Sequence, residues 1–315
     1  MTDRPVRTIF LGSGGFGRES LHRLAADDAI ELVGVVTAPV RPAGRGRQLT
    51  RTVIETAARE LGIERVLTPA RLRSPESVAE IVALRPELLV LADYGQIVPA
   101  VLLAMPHGAL NLHPSLLPRH RGATPIPAAI LAGDAETGVS LMRMDAGLDT
   151  GPIIAQVTEP LDGRETTPAL ETRLESLAAD LLERSLGPWL AGELEAVPQP
   201  AEGASLTRPL RREDGRLDPA KDAITLERQV RAYQPWPGSF VDVPLGRLVI
   251  WVADAEVDVE DGPPQGTFDE RGLAVGEGQR LRLVEVQPAG GGRMSWEAFV
   301  NGRPGIVGGA IRPPS

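Results

Sequence analysis

Residues 88 to 92 read Leu-Leu-Val-Leu-Ala, five apolar positions in a row with no polar face. A strand of that kind has to be covered on both sides, which describes a central strand of a parallel sheet flanked by helices. The surrounding chain fits the same plan. Val6 to Leu11 and Glu31 to Thr37 read as strands, and Thr52 to Leu61 as a helix ending at Gly62. Ser74-Pro75-Glu76 opens another helix, with a capping serine, a proline in the first turn and an acid at the positive end of the helix dipole. Strands are expected at Ala109 to Leu112, Val139 to Met144 and Ile153 to Val157, and a helix near Pro125 to Ala132. Thr167-Pro168 opens a long helix whose Leu170, Leu174, Leu177 and Leu181 share one face, until Gly187-Pro188 stops it. This alternation predicts an α/β fold built on a doubly wound, mostly parallel sheet, Rossmann-like in plan.

Open sheets of this type bind ligands at strand ends, so the loops there carry the functional signal. The densest is Leu110-Asn111-Leu112-His113-Pro114-Ser115-Leu116-Leu117-Pro118-Arg119-His120-Arg121-Gly122, in a segment that with His107 holds three of the chain's four histidines. In an extended chain Asn111 and His113 point to the same side, about 7 Å apart. They aim an amide donor and an imidazole together, and the two prolines stiffen the loop beyond them. A second loop, Asp93-Tyr94-Gly95-Gln96-Ile97-Val98-Pro99, leaves the all-apolar strand. A third, Asp145-Ala146-Gly147-Leu148-Asp149-Thr150-Gly151-Pro152, holds two acids that either cap local amides or face the histidine. Parallel neighbours deliver their C-terminal loops to one edge, so Asp149 is expected to be able to reach His113.

Two other features bear on ligands. Gly12-Ser13-Gly14-Gly15-Phe16-Gly17 follows the first strand in the spacing of a dinucleotide fingerprint. The second strand ends Val35-Val36-Thr37-Ala38-Pro39, without the carboxylate that holds a ribose, so these glycines read better as a tight turn admitting some other ligand. Residues 38 to 51 form a long Pro/Gly-rich loop carrying Arg41, Arg45, Arg47 and Arg51, with no acid between Leu32 and Ile54. The loop is either a solvated connection or a phosphate-contacting arm, and spaced arginines on an acidic protein favour the second.

At 315 residues the chain has room for two domains, and its 42% hydrophobic and 24% charged content is that of a folded globular protein. It contains no cysteine, which excludes disulfides, thiolate catalysis and cysteine metal sites. No metal-ligand cluster is visible, and no apolar run reaches membrane-spanning length. Met1-Thr2-Asp3-Arg4-Pro5 leads directly into a strand without a signal-peptide core, so a cytoplasmic location is expected. The net charge of −9 means that a polyanionic partner would have to find a local basic patch.

Periodicity is lost over residues 190 to 206, which read as a linker between a first domain, 1–189, and a second, 207–315. After it come a short helix, Leu226 to Tyr233, and then Gln234-Pro235-Trp236-Pro237-Gly238. Short alternating strands such as Leu248 to Val252 and Leu281 to Val286, parted by Gly/Pro turns, suit a small β-barrel.

Over nearly its whole length the sequence resembles the folate-dependent formyltransferases. The resemblance rests on Asn111-Leu112-His113-Pro114-Ser115-Leu116-Leu117-Pro118-Arg119 with Arg121-Gly122, on Gly133-Asp134-Ala135-Glu136-Thr137-Gly138-Val139, and on Met144-Asp145-Ala146-Gly147-Leu148-Asp149-Thr150-Gly151. Arg41-Pro42-Ala43-Gly44-Arg45-Gly46 and Arg231-Ala232-Tyr233-Gln234-Pro235-Trp236-Pro237 resemble the branch acting on methionyl-tRNA. The resemblance implies Asn111, His113 and Asp149 as the catalytic trio. It implies folate contacts from Ser115, Leu116, Leu117 and Pro118, and from the loop Tyr94, Gly95, Gln96 and Ile97. It further implies 10-formyltetrahydrofolate as formyl donor, methionyl initiator tRNA as acceptor held partly by Arg41, Arg45, Arg47 and Arg51, an OB-like second domain assisting the tRNA, no metal, and action as a monomer. In that chemistry Asn111 faces the formyl oxygen, a protonated His113 serves the oxyanion and the leaving nitrogen, and Asp149 orients the imidazole and raises its pKa. Three departures from the family pattern stand out: the glycine-rich turn at 12–17, Val40 before Arg41, and His120 in place of a larger aromatic residue. The rival expectations are formyl transfer to an amino-sugar nucleotide or glycinamide ribonucleotide, a nicotinamide-dependent dehydrogenase resting on residues 12–17 alone, and a non-catalytic RNA-binding protein.

Overall fold

The computed structural model of the protein describes residues 4–43, 48–260 and 262–312. In chain order the strands of the first two thirds are β1 (Val6–Gly12), β2 (Ile30–Val36), β3 (Arg41–Ala43), β4 (Gln48–Thr50), β5 (Val66–Leu67), β6 (Leu88–Ala92), β7 (Ala109–His113), β8 (Arg121–Gly122), β9 (Glu136–Arg143), β10 (Ile153–Pro160) and β11 (Leu206–Thr207). The helices are α1 (Arg18–Ala26), α2 (Val53–Glu60), α3 (Pro75–Ala83), α4 (Ala100–Leu103), α5 (Pro125–Ala132) and α6 (Thr167–Leu190). Two compact units interleave along the chain. One comprises Met1–Pro125, Glu136–Pro160 and Glu171–Arg208, the other Ile126–Ala135, Leu161–Leu170 and Pro209–Ser315.

The first unit is built on a seven-stranded sheet of order β10-β9-β7-β6-β1-β2-β5. β5, β2, β1, β6 and β7 run parallel; on one side β9 pairs antiparallel with β7, and β10 antiparallel with β9, so β10 again runs with the parallel set. The all-apolar strand β6 lies between β1 and β7 and is buried at every residue, as a two-sided strand must be. Strand order reverses between β1 and β6, where Ser13 N–H donates to the Asp93 carbonyl at 3.0 Å. Local signals set the helix starts: Ser74 Oγ accepts from Ser77 N–H with Pro75 in the first turn, and Thr52 caps α2 in the same manner.

Two expectations require correction. The stretch 38–51 is not all loop, because β3 and β4 pair antiparallel, Arg41 with Thr50 and Ala43 with Gln48. Proline is barred from sheet interiors but tolerated on edges, and both strands of a two-stranded ribbon are edges, so Pro42 does not prevent pairing. Nor does Gly187-Pro188 end α6, which continues to Leu190. A proline there removes one donor in the last turn, at the exposed Arg184, and the turn is anchored by Trp189 Nε1, which donates to the His107 carbonyl at 3.0 Å. The helix closes instead at Gly192, whose φ of +73° only glycine adopts freely.

The second unit adds α7 (Ala223–Ala232), β12 (Ser239–Val243), β13 (Gly246–Glu256), β14 (Gly272–Val275), β15 (Gln279–Pro288), β16 (Met294–Ser295) and α8 (Trp296–Gly302). Its five strands form one antiparallel sheet, β12-β13-β15-β14 with β16 on β15, curled over a core of Leu226, Val230, Val241, Ile250, Leu281 and Leu283. Trp296 packs between Phe268 and Phe299, with ring centroids 5.6 Å away on each side. No helix among the described residues is long and apolar enough to cross a membrane.

Candidate active site

Strand β7 alternates, so Leu110 and Leu112 go into the core while Asn111 and His113 share the other face. Across the sheet Asn111 pairs with Met142 and His113 with Ser140. Asn111 is half-buried and its side-chain amide bonds to no described residue, leaving its donor available to a ligand. His113 is buried, and its Nε2–H donates to the His120 carbonyl at 3.0 Å. A carbonyl can only accept, so the neutral ring carries its proton on Nε2 and turns a bare Nδ1 outward. That Nδ1 lies 3.8 Å from Oδ2 of Asp149.

The approach of Asp149 differs from expectation. β9 runs antiparallel to β7, with Arg143 beside Leu110, so it ends at the opposite edge of the sheet from the C-terminus of β7. The loop after β9 must therefore fold back along the sheet face to bring Asp149 to His113. It is held there by Gly122 N–H, which donates to Asp149 Oδ2 at 2.7 Å. Asp149 has φ +51° and His120 φ +56°, left-handed conformations that L-residues adopt at a cost and that cluster at working sites. At 3.8 Å Asp149 makes no direct hydrogen bond to the ring, so the His120 carbonyl orients the imidazole instead. Burial pushes the His113 pKa below 6.5, and the Asp149 charge opposes this without overcoming it. Asp149 does pull the pKa upward as expected, but burial is the larger effect and sets the net direction downward in the free protein.

The segment after β7 is pinned from below. Ser140 Oγ donates to the Ser115 carbonyl at 2.6 Å and accepts from Leu117 N–H at 3.0 Å. Gln156 Nε2 reaches Ser140 Oγ and the Leu117 carbonyl at 2.8 and 3.1 Å. Ser115 turns its hydroxyl inward to the Arg119 carbonyl, so its side chain shapes the loop, while the carbonyls of Leu116 and Pro118 accept from Arg119 N–H and Ser205 N–H. In the loop after β6, Gln96 is also committed: its amide donates to the Pro69 carbonyl and accepts from Leu72 N–H. Tyr94 has a buried hydroxyl with no described partner, and burial pushes its pKa up to about 12. Ile97 is 74% exposed, an apolar side chain held out at the loop tip.

The glycine-rich turn does not offer an anion site. A pyrophosphate would need the free amides between β1 and α1. Instead the carboxylate of Asp93 lies against Gly14, Glu171 lies beside Gly15 and Phe16, and Glu175 accepts from Glu19 N–H at 3.3 Å. A Cβ on Gly14 would fall 1.6 Å from Asp93 Oδ2, so this glycine admits a carboxylate of the protein itself. Loss of hydration pushes the carboxyls of Asp93 and Glu171 up in pKa, Glu171 also feeling the charges of Asp93 and Glu175. A dinucleotide phosphate would meet three acids here.

Of the arginine loop, Arg45 and Arg47 lie outside the described residues, and only the backbone of Arg41 is described. Arg51 is exposed and pairs with Glu55 at 3.1 Å, a carboxylate shared with Arg59. No group of residues suited to holding a metal occurs among those described. Sequence reasoning missed Ser140, Gln156, Gln199 and Ser205. Ser140 did leave a signal, as the one polar residue in Val139-Ser140-Leu141-Met142, where a buried hydroxyl must find partners.

Residues 6–186 match the formyl transferase family, and residues 209–304 match the formyl transferase C-terminal domain. The methionyl-tRNA formyltransferase of Roseiflexus sp. (strain RS-1) is 45% identical over 291 residues, 91% of this chain and 89% of that protein. That of Myxococcus xanthus (strain DK1622) is 41% identical over 302 residues, covering 94% and 95%. Among solved structures, the sugar 3N-formyl transferase WlaRD, determined with dTDP and 5-N-formyl-THF, superimposes with a TM-score of 0.62 at 16% identity, covering 88% of this chain and 97% of its own. HypX from Aquifex aeolicus in complex with tetrahydrofolic acid gives 0.60 at 17% identity, the chain covering 93% of itself and under half, 46%, of HypX. Family match, sheet topology and the extent of these sequence identities agree, and the chain belongs to the formyl transferase family.

Proposed function

We propose that the protein transfers the formyl group of 10-formyltetrahydrofolate to the α-amine of methionyl initiator tRNA, using Asn111, His113 and Asp149. The observation that carries this reading is the convergence of an unpartnered amide, a bare imidazole nitrogen and a carboxylate on one face of β7. The relatives at 41–45% identity over nine tenths of the chain support the tRNA acceptor. The exposed Ile97, at the tip of a loop that Gln96 ties to Pro69 and Leu72, suits an apolar ring system, which supports folate contacts from Tyr94 to Ile97 and from Ser115 to Pro118.

The donor supplies an acyl carbon whose oxygen gains charge as the amine attacks, and whose nitrogen must leave with a proton. Asn111 donates to that oxygen, an interaction typically worth ~10²–10³ in rate. With Nε2 tied to His120, only Nδ1 of His113 can exchange a proton with substrates. Neutral at pH 7, it takes a proton from the attacking amine and returns one to the departing nitrogen, help worth roughly 10²–10⁴. Asp149 sits where the transient imidazolium charge appears and stabilises it. A monomer acting where charged tRNA is found, in the cytoplasm, completes the reading. Arg41, Arg45, Arg47 and Arg51 and the OB-like second unit would hold the tRNA backbone.

The test is direct: purified protein, 10-formyltetrahydrofolate and charged initiator tRNA are expected to yield formyl-methionyl-tRNA. No formylated tRNA, with formylation of an amino-sugar nucleotide in a parallel reaction, would overturn the acceptor assignment.

A further inference from the structure

Residues 197–207 have no helical or strand periodicity in the sequence, yet they are hydrogen-bonded along the segments that carry the proposed chemistry. Gln199 uses its whole amide. Its Nε2 donates to the carbonyls of Asp149 and Gly151 at 2.8 and 2.7 Å. Its Oε1 accepts from Nε and Nη2 of Arg121 at 3.0 and 2.7 Å. Two donors and two acceptors are all that the group has, so it can sit only one way round. The bonds close a ring, because Gly122, next to Arg121, donates its N–H to the Asp149 carboxylate. Six residues on, Ser205 Oγ accepts from His120 N–H at 2.8 Å, and the carbonyl of that same His120 orients the His113 ring. β11 then pairs parallel with β8, Leu206 with Arg121 and Thr207 with Gly122. A Cβ at Gly122 would lie 2.3 Å from the Thr207 carbonyl oxygen, so a glycine is required for the strap to lie this close.

We infer that residues 197–207 form a strap that sets the catalytic geometry, with Gln199 the positioning residue for Asp149 and Ser205 for the His113–His120 pair. This rests on the catalytic roles proposed above. The physical need is clear at Asp149, whose left-handed backbone is held at its own carbonyl and at that of Gly151 two residues on, while its carboxylate has one direct backbone bond. Without Gln199 the loop after β9 loses the contacts that carry it back along the sheet. A misplacement of about 1 Å in such a group can cost ~10²-fold in turnover.

The experiment compares wild type, Gln199→Met, Asp149→Asn and the double variant in the formylation assay, with Arg121→Met as a second route to freeing the Gln199 amide. Gln199→Met is expected to lower kcat by roughly 10- to 100-fold with KM for the folate unchanged. In the Asp149→Asn background it should add little, because it acts through that carboxylate. Amide hydrogen exchange over residues 145–152 should quicken in Gln199→Met and Arg121→Met while α6 stays protected, a readout that needs no activity. A wild-type kcat in Gln199→Met, a full further loss on top of Asp149→Asn, or unchanged exchange at 145–152 would each overturn the inference. An inactive wild type with quickened exchange in the variants would instead overturn the proposed reaction and leave the strap standing.

Discussion

Nδ1 of His113 and Oδ2 of Asp149 stand 3.8 Å apart, close enough for charge to be felt and too far for a direct hydrogen bond. The bond from Nε2 to the His120 carbonyl leaves Nδ1 as the ring atom able to exchange a proton with a substrate. Asp149→Asn and His113→Ala are therefore each expected to cut turnover by more than ~10²-fold with the fold retained. Steady-state kinetics on purified variants, with circular dichroism as control, check this. Near-normal turnover would remove the residue concerned from the mechanism.

The pH dependence follows from burial. The His113 pKa lies below 6.5, so the ring is neutral at pH 7 and the acid limb of kcat/KM should fall below the ordinary imidazole range. Asp149 pulls that pKa upward, so Asp149→Asn should move the limb to still lower pH. Proton-coupled NMR of the four histidines would show the His113 titration directly. The same depression has a stability sign: the unfolded chain binds the proton more readily. The contribution of His113 is thus whole above about pH 6.5 and is lost as pH falls through the folded pKa. His113→Gln should flatten that part of a Tm-versus-pH curve.

Arg45→Ala should weaken tRNA binding, reduce the salt slope of log Kd by about one, and leave folate affinity untouched. Arg51→Ala should do less, because Glu55 already neutralises much of that charge. Filter binding across a salt series distinguishes them, and equal affinity for wild type and Arg45→Ala at low salt would retire the phosphate-arm reading.

Ser140→Ala should destabilise the first unit by about 1–3 kcal/mol, since it strands the Ser115 carbonyl and Leu117 N–H in a buried place. It should also raise KM for the folate as residues 115–118 loosen. Chemical denaturation and a folate titration measure the two effects.

The sheet was legible because its signal is local and repeated. Leu88 to Ala92 can hardly be anything but a central strand, and the caps at Thr52 and Ser74 mark their helices by chemistry alone. Asn111 and His113 followed from the two-residue period of a strand. The direction of β9 did not, because Val139 to Met144 reads the same whether it pairs parallel or antiparallel, and so the route by which Asp149 arrives was misjudged. The surroundings of the glycine-rich turn were hidden for a similar reason. Spacing records where amides are free to point, but not that Asp93, Glu171 and Glu175 come from distant segments to lie beside the turn. The contribution of Gln199 and Ser205 was invisible, since a side chain that bonds backbone carbonyls across 50 residues leaves no periodicity.

The strap also bears on how the molecule can be divided. An excised transferase ending with α6 would keep every residue of the proposed trio and all seven strands of the main sheet, and would look intact by composition. It would lack the amide that closes the ring around residue 149 and the hydroxyl behind residue 120. Any minimal fragment meant to turn over substrate has to be cut after Thr207, on the far side of what resembles a spacer.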